Sequence, residues 1–118
     1  MARAELPSGE WVEYRDKLIA ADRFAVQAVA RVEFGDSGNK ASFLEMQNDM
    51  RNALLGRIIT GWSYHSPIPS ADSFRAADMV IGETMDLDDY AALEKAIEPL
   101  MDKIAGRGTP DPKKLDKD

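Results

Sequence analysis

The sequence predicts a mainly α fold: about four helices packed in one small domain, with a short N-terminal β-strand or hairpin. Three observations predict it. Apolar residues recur at helical spacing in successive segments between Asp22 and Ile104. Clusters of Gly, Pro and small polar residues separate those segments. One early stretch, Trp11-Val12-Glu13-Tyr14-Arg15, alternates in polarity and is rich in aromatic and β-branched residues, which is strand chemistry.

Leu6-Pro7-Ser8-Gly9-Glu10 reads as a turn, because Pro and Gly supply its backbone geometry. With residues 3–6 before it, the strand after it makes half of a hairpin. A lone hairpin is unstable in water, so it must lie against the helices. Asp22 is the expected N-cap of a first helix running to about Val32. Phe24, Ala25, Ala28, Val29 and Val32 recur at helical spacing and are expected to face the core. Residues 35–40, Gly-Asp-Ser-Gly-Asn-Lys, read as a polar loop.

Ser42 and Glu45 form a capping box at the start of the longest helix. Phe43, Met46, Met50, Leu54 and Ile58 line one face, and Leu55, Ile59 and Trp62 widen it. Gln47 and Arg51 fall near the middle of that apolar arc. Either their stems pack while their heads reach water, or the face is an interface whose polar pair matches a partner. Gly61 is expected to end this helix. Pro67 and Pro69 then force an extended connection around Ile68. Ser70 caps a short helix near 71–81 containing Phe74, Met79, Val80 and Ile81, which Gly82 stops. A last helix starts at Asp86, with Asp88 and Asp89 in its first turn. Tyr90, Leu93, Ile97, Leu100, Met101 and Ile104 form its stripe, and Pro99 should kink it. The domain therefore spans residues 1–105. Residues 106–118 hold one large apolar residue, Leu115, and are expected to form a disordered tail.

Composition narrows the function classes. The 118 residues are 44% hydrophobic and 31% charged, which is globular. With no Cys, neither a disulfide framework nor a thiolate metal site can form. Residues 1–69 carry 8 basic and 9 acidic side chains, and residues 70–118 carry 7 and 12, so −1 and −5 make up the net −6. An acidic surface disfavours nucleic acid. No run approaches the ~20 apolar residues of a membrane span, and the first residues do not read as a secretory signal. A cytoplasmic protein with no membrane partner is expected.

The search for reaction chemistry returns little. His65 is a lone histidine, expected to sit in a turn. Asp86-Leu87-Asp88-Asp89 lacks the central Gly and closing Glu of a calcium loop, and helix capping explains it. Ser63, Ser66 and Ser70 stand in no nucleophile elbow. Residues 35–38 lack the Gly-Lys-Ser/Thr ending of a phosphate loop. Trp11 and Trp62 are expected to be core anchors, Trp62 against Leu55, Ile59 and the last helix. No catalytic, cofactor or metal residue is assigned, and a non-enzymatic role is expected.

Four stretches carry a resemblance. They are Leu6-Pro7-Ser8-Gly9-Glu10-Trp11-Val12-Glu13-Tyr14-Arg15-Asp16, residues 54–63 (Leu-Leu-Gly-Arg-Ile-Ile-Thr-Gly-Trp-Ser), Pro67-Ile68-Pro69, and Leu87-Asp88-Asp89-Tyr90-Ala91-Ala92-Leu93. Together, over roughly residues 5–104, the chain resembles the tail assembly chaperones of long-tailed, siphovirus-like bacteriophages of actinobacteria. The resemblance implies a protein of the host cytoplasm that binds the tape measure protein and keeps it soluble during tail assembly. The tail tube protein is a second implied partner, and homo-oligomerisation is left open. Met46, Gln47, Met50, Arg51 and Leu54 are the residues expected to bind the client. Met46, Met50, Met79, Met85 and Met101 offer adaptable apolar surface for it, or else fill the core. The alternative is a structural virion component, such as a head–tail adaptor or tail-completion protein.

Overall fold

A computed structural model describes residues 1–35, 43–69 and 74–106 of the chain. The N-terminal hairpin forms as its sequence predicts. β1 (Ala2–Glu5) runs antiparallel to β2 (Trp11–Tyr14), with Ala4 opposite Val12 and Glu5 opposite Trp11. Leu6 donates to the Glu10 carbonyl, and Gly9 closes the loop at φ +95, a conformation in which a Cβ would be strained.

A third strand completes the sheet, in the order β1-β2-β3. β3 (Ile59–Trp62) occupies residues that the helical pattern had assigned to the end of the long helix, so Gly61 is a strand residue, not a helix stop. The physical reason is local. Ile59 and Thr60 are β-branched, and β2 needs a partner for its second row of backbone groups. Val12 pairs with Trp62, Glu13 with Gly61 and Tyr14 with Ile59, leaving a bulge whose extra residue is Thr60.

Five helices follow the hairpin among the described residues: α1 (Ala20–Gly35), α2 (Phe43–Ile58), α3 (Phe74–Thr84), α4 (Leu87–Ala96) and α5 (Glu98–Ala105). The fifth arises because Pro99 divides the expected last helix at Ile97 rather than merely kinking it. Asp86 caps α4 by accepting the Asp89 N–H at 2.8 Å. Gly106, at φ +83, ends α5. Arg23 of α1 completes that end, donating to the Lys103 and Ile104 carbonyls at 3.0 Å each. Gly82 does not stop α3, which runs on to Thr84 with Ala77 and Ile81 buried one turn apart. Ser42, Ser70, most of the predicted polar loop and the tail from residue 107 lie outside the described residues, as do the side chains of Val32, Phe43 and Phe74.

Two expectations for α1 are corrected. Asp22 is not the N-cap but the third residue of the helix, accepting the Ile19 N–H at 2.8 Å. The buried face carries Asp22, Val26 and Val29, while Phe24 is 62% exposed. The cause is electrostatic. Asp22 accepts Arg15 through both oxygens at 2.9 Å and the Arg57 Nε at 2.8 Å. Turning Asp22 inward carries Phe24, about 200° away around the helix, to the outside.

The core lies between the sheet and the helices. Leu54, Leu55 and Ile58 of α2 meet Val12 of β2, Val26 of α1 and Leu93 and Ile97 near the α4–α5 break, all with almost no exposure. Trp62 is buried in the same cluster. Its Nε1 donates to the Ser66 carbonyl at 2.8 Å, and its ring meets Tyr64 edge-on at 5.1 Å. That fixes the turn leading to Pro67-Ile68-Pro69.

Candidate functional site

α2 supplies one wall of a cleft, the α4–α5 pair the opposite wall, and α1 the end. The cleft encloses about 620 Å³. Val26, Met50, Met101 and Ile104 give it an apolar floor, with Ala91 and Ala105 beside them. Its rim is polar: Gln27, Gln47, Arg51, Glu94, Lys95, Glu98 and Asp102. The arrangement follows from helix periodicity. Met50 and Arg51 are adjacent on α2, so one reaches the floor while the other reaches the edge. Glu94 and Glu98 stand four residues apart across the α4–α5 break and share the rim.

The rim is held in place. Arg51 bridges to Glu94 at 3.0 Å and donates to the Asn48 amide oxygen at 2.7 Å. Beside this cleft, in a second one between α2, α3 and α4, the Tyr90 hydroxyl donates to Asn52 at 2.8 Å, and Asn52 donates to Asp78 at 2.6 Å. This chain ties α4 to α2 and α2 to α3. Burial pushes the Tyr90 hydroxyl above its ordinary pKa, against the pull of Arg51. Tyr90 therefore stays a neutral donor at physiological pH.

Of the five residues expected to bind a client, Gln47, Met50 and Arg51 are brought together on this cleft. Leu54 is fully enclosed and Met46 is buried, so both sit behind the surface as packing residues. Among the methionines expected to offer surface, Met85 is also buried, Met50 and Met101 are half-buried, and Met79 is exposed on α3.

Two polar clusters escape sequence reasoning. The first is the Asp22–Arg15–Arg57 hub. Hydrogen bonds from Arg15 above all, set against burial, hold the Asp22 carboxyl well below the usual carboxylate range. The second centres on Asp89, which is buried and whose side-chain hydrogen-bond donors among the described residues are neutral groups. It accepts the Ser8 N–H at 3.0 Å, the Ser8 hydroxyl at 2.5 Å and the Tyr64 hydroxyl at 2.6 Å. Burial raises its pKa, but these donors outweigh burial and leave it lowered. The hairpin loop, the turn after β3 and the first turn of α4 thus share one carboxylate. Asp89 is the third acid of a capping sequence, and nothing local separates it from Asp86 and Asp88.

Ser63 and Ser66, among the remaining candidates for chemistry, have structural partners. Ser63 donates to Glu10 at 2.6 Å and accepts the Trp11 N–H at 2.8 Å. Ser66 and Thr84 share a hydrogen bond of 2.8 Å. His65 is exposed in the turn. Among the described residues, no group of three His, Asp or Glu side chains could hold a metal ion, and no helix is long and apolar enough to cross a membrane. No protein-family model, curated protein or solved structure matches the chain.

Proposed function

We propose that this chain is a bacteriophage tail assembly chaperone that binds the tape measure protein in the host cytoplasm and keeps it soluble until the tail tube forms around it. The observation that carries the reading is the cleft between α2 and α4–α5. It has an apolar floor containing two methionines and a polar rim, which suits one face of an amphipathic helix. A long helical client presents such faces repeatedly. The resemblance of residues 5–104 supplies the client's identity, and Gln47, Met50 and Arg51 supply the contact. The role is one of binding rather than catalysis.

Co-expression tests it. The tape measure protein should be soluble and co-purify with this chain, and aggregate without it. Apolar burial supplies the affinity, so added salt should weaken capture only slightly. Mass spectrometry of finished particles should find the chain absent. A chain that neither captures nor solubilises the tape measure protein, and that stays in the particle, would be a structural component instead.

A further inference from the structure

β1 is an edge strand, with β2 on one side and no described strand on the other. The alternation of an antiparallel ladder decides which of its groups face outward. Leu6 donates to Glu10, and the same register sets Ala4 opposite Val12 and Ala2 opposite Tyr14. The even-numbered residues of β1 therefore turn N–H and C=O toward β2. The central strand keeps the same parity, since Trp11 and Arg15 bond on the β3 side, to Ser63 and Ile58. Arg3 and Glu5 are left with their backbone groups directed away from the sheet. Their side chains share the solvent face, because Ala4 and Leu6 are buried on the other.

We infer that this edge pairs with β1 of a second copy of the chain, antiparallel about a twofold axis at Ala4, with Arg3 opposite Glu5 of the partner subunit. Charge selects both the occupant and the register. Outward-facing residues must meet outward-facing residues. An axis at Arg3 would set Arg3 against itself, and an axis at Glu5 would set Glu5 against itself. Like charges directly opposite destabilise a strand pair. Only the axis at Ala4 opposes Arg3 to Glu5 twice, and each such pair exchanges both of its backbone hydrogen bonds. Pro7, which has no N–H, ends the ladder. Within one chain Arg3 already leans toward Glu5 at 3.5 Å and lies over the Trp11 ring at 4.1 Å, so its guanidinium is held on the face where the partner's carboxylate arrives. The opposite edge strand, Ile59-Thr60-Gly61-Trp62, carries no charge and specifies no such register. The inference stands independently of the client-binding reading.

Light scattering on a sizing column, from about 10 to about 500 μM protein, tests it. Four-residue strands bury less than a standard interface, so the dimer should be concentration-dependent. The mass should climb from 13.1 kDa toward twice that value and fall back as salt is raised. Arg3→Glu and Glu5→Arg should each stay monomeric. An equimolar mixture of the two should dimerise, because every opposed pair in the mixed dimer is again of unlike charge. The doubly exchanged chain, Arg3→Glu with Glu5→Arg, should recover the homodimer. Circular dichroism checks that each variant folds. If a reversal unfolds the chain, Arg3→Gln takes its place and should raise Kd several-fold, as losing two exposed ion pairs implies. A wild-type mass of 13.1 kDa throughout, folded reversals that dimerise like wild type, a mixture that stays monomeric, or an unchanged Kd for Arg3→Gln would each overturn the inference.

Discussion

Asp22 joins three parts of the chain: the exit of the hairpin through Arg15, the first turn of α1 through Ile19, and the end of α2 through Arg57. Its carboxylate is enclosed, while the Arg15 and Arg57 side chains keep 31% and 26% exposure. Asp22→Ala should therefore cost roughly 2–3 kcal/mol, below the full range for breaking a buried ion pair, because water still reaches the arginines. The acid dependence has a definite sign. The folded carboxyl titrates below its unfolded value of about 3.9, so its contribution is complete above that value and is lost as pH falls toward the folded one. The stability gap between wild type and Asp22→Ala, read by urea denaturation, should be constant near neutrality and shrink below about pH 4. A gap that stayed constant on acidification would show that Asp22 is held for packing rather than for charge. Sequence reading finds Asp22 as a helix-start residue and cannot find its partners. Arg57 lies 35 positions away, and only the fold brings it near.

The elements were legible where a signal is local and complete. The hairpin was, because the Pro-Ser-Gly loop and the alternating strand agree. The start of α4 was, because Asp86 precedes an apolar run with two acids. β3 was not. Residues 54–62 continue a helical pattern of apolar residues, and what turns the last four into a strand is the unfilled side of β2, a non-local demand. The face of α1 was misread for the same reason, since the pairing of Asp22 outweighs the burial of Phe24. Trp62 shows how β3 is secured. Trp62→Ala should lower stability by roughly 3–5 kcal/mol. Trp62→Phe should lose less, because it keeps most of the ring burial and gives up the Nε1 bond to Ser66. Thermal melts of the two variants would check this order, and a melt unchanged by Trp62→Ala would place the ring outside the core.

The molecule combines a core centred on α2 with a cleft on the same helix, and this explains why the candidate site was only half visible in the sequence. Met46, Gln47, Met50, Arg51 and Leu54 lie close together along one helix, but the elements packed on that helix decide which of them are covered. Leu54 and Met46 go inside, and Gln47, Met50 and Arg51 remain at the cleft. The opposite wall, with Glu98 and Met101, comes from the expected last helix, of which the sequence reading offered only Met101 as client surface and named neither Ala91 nor Glu98. Ala91 is exposed on that wall. Ala91→Trp should thus fill the cleft without unfolding the chain, and co-expression should show the tape measure protein returning to the insoluble fraction. Client solubility equal to wild type would place the binding surface elsewhere.

The most direct measurement is a titration of the isotope-labelled chain with soluble helical segments of the tape measure protein, followed residue by residue by nuclear magnetic resonance. The predicted result is saturable shift changes concentrated at Gln47, Met50, Arg51, Ala91, Glu98 and Met101, and absent from the same residues in Ala91→Trp. Shift changes confined to another surface, or none with any segment of the client, would contradict the assignment of the cleft as the client site.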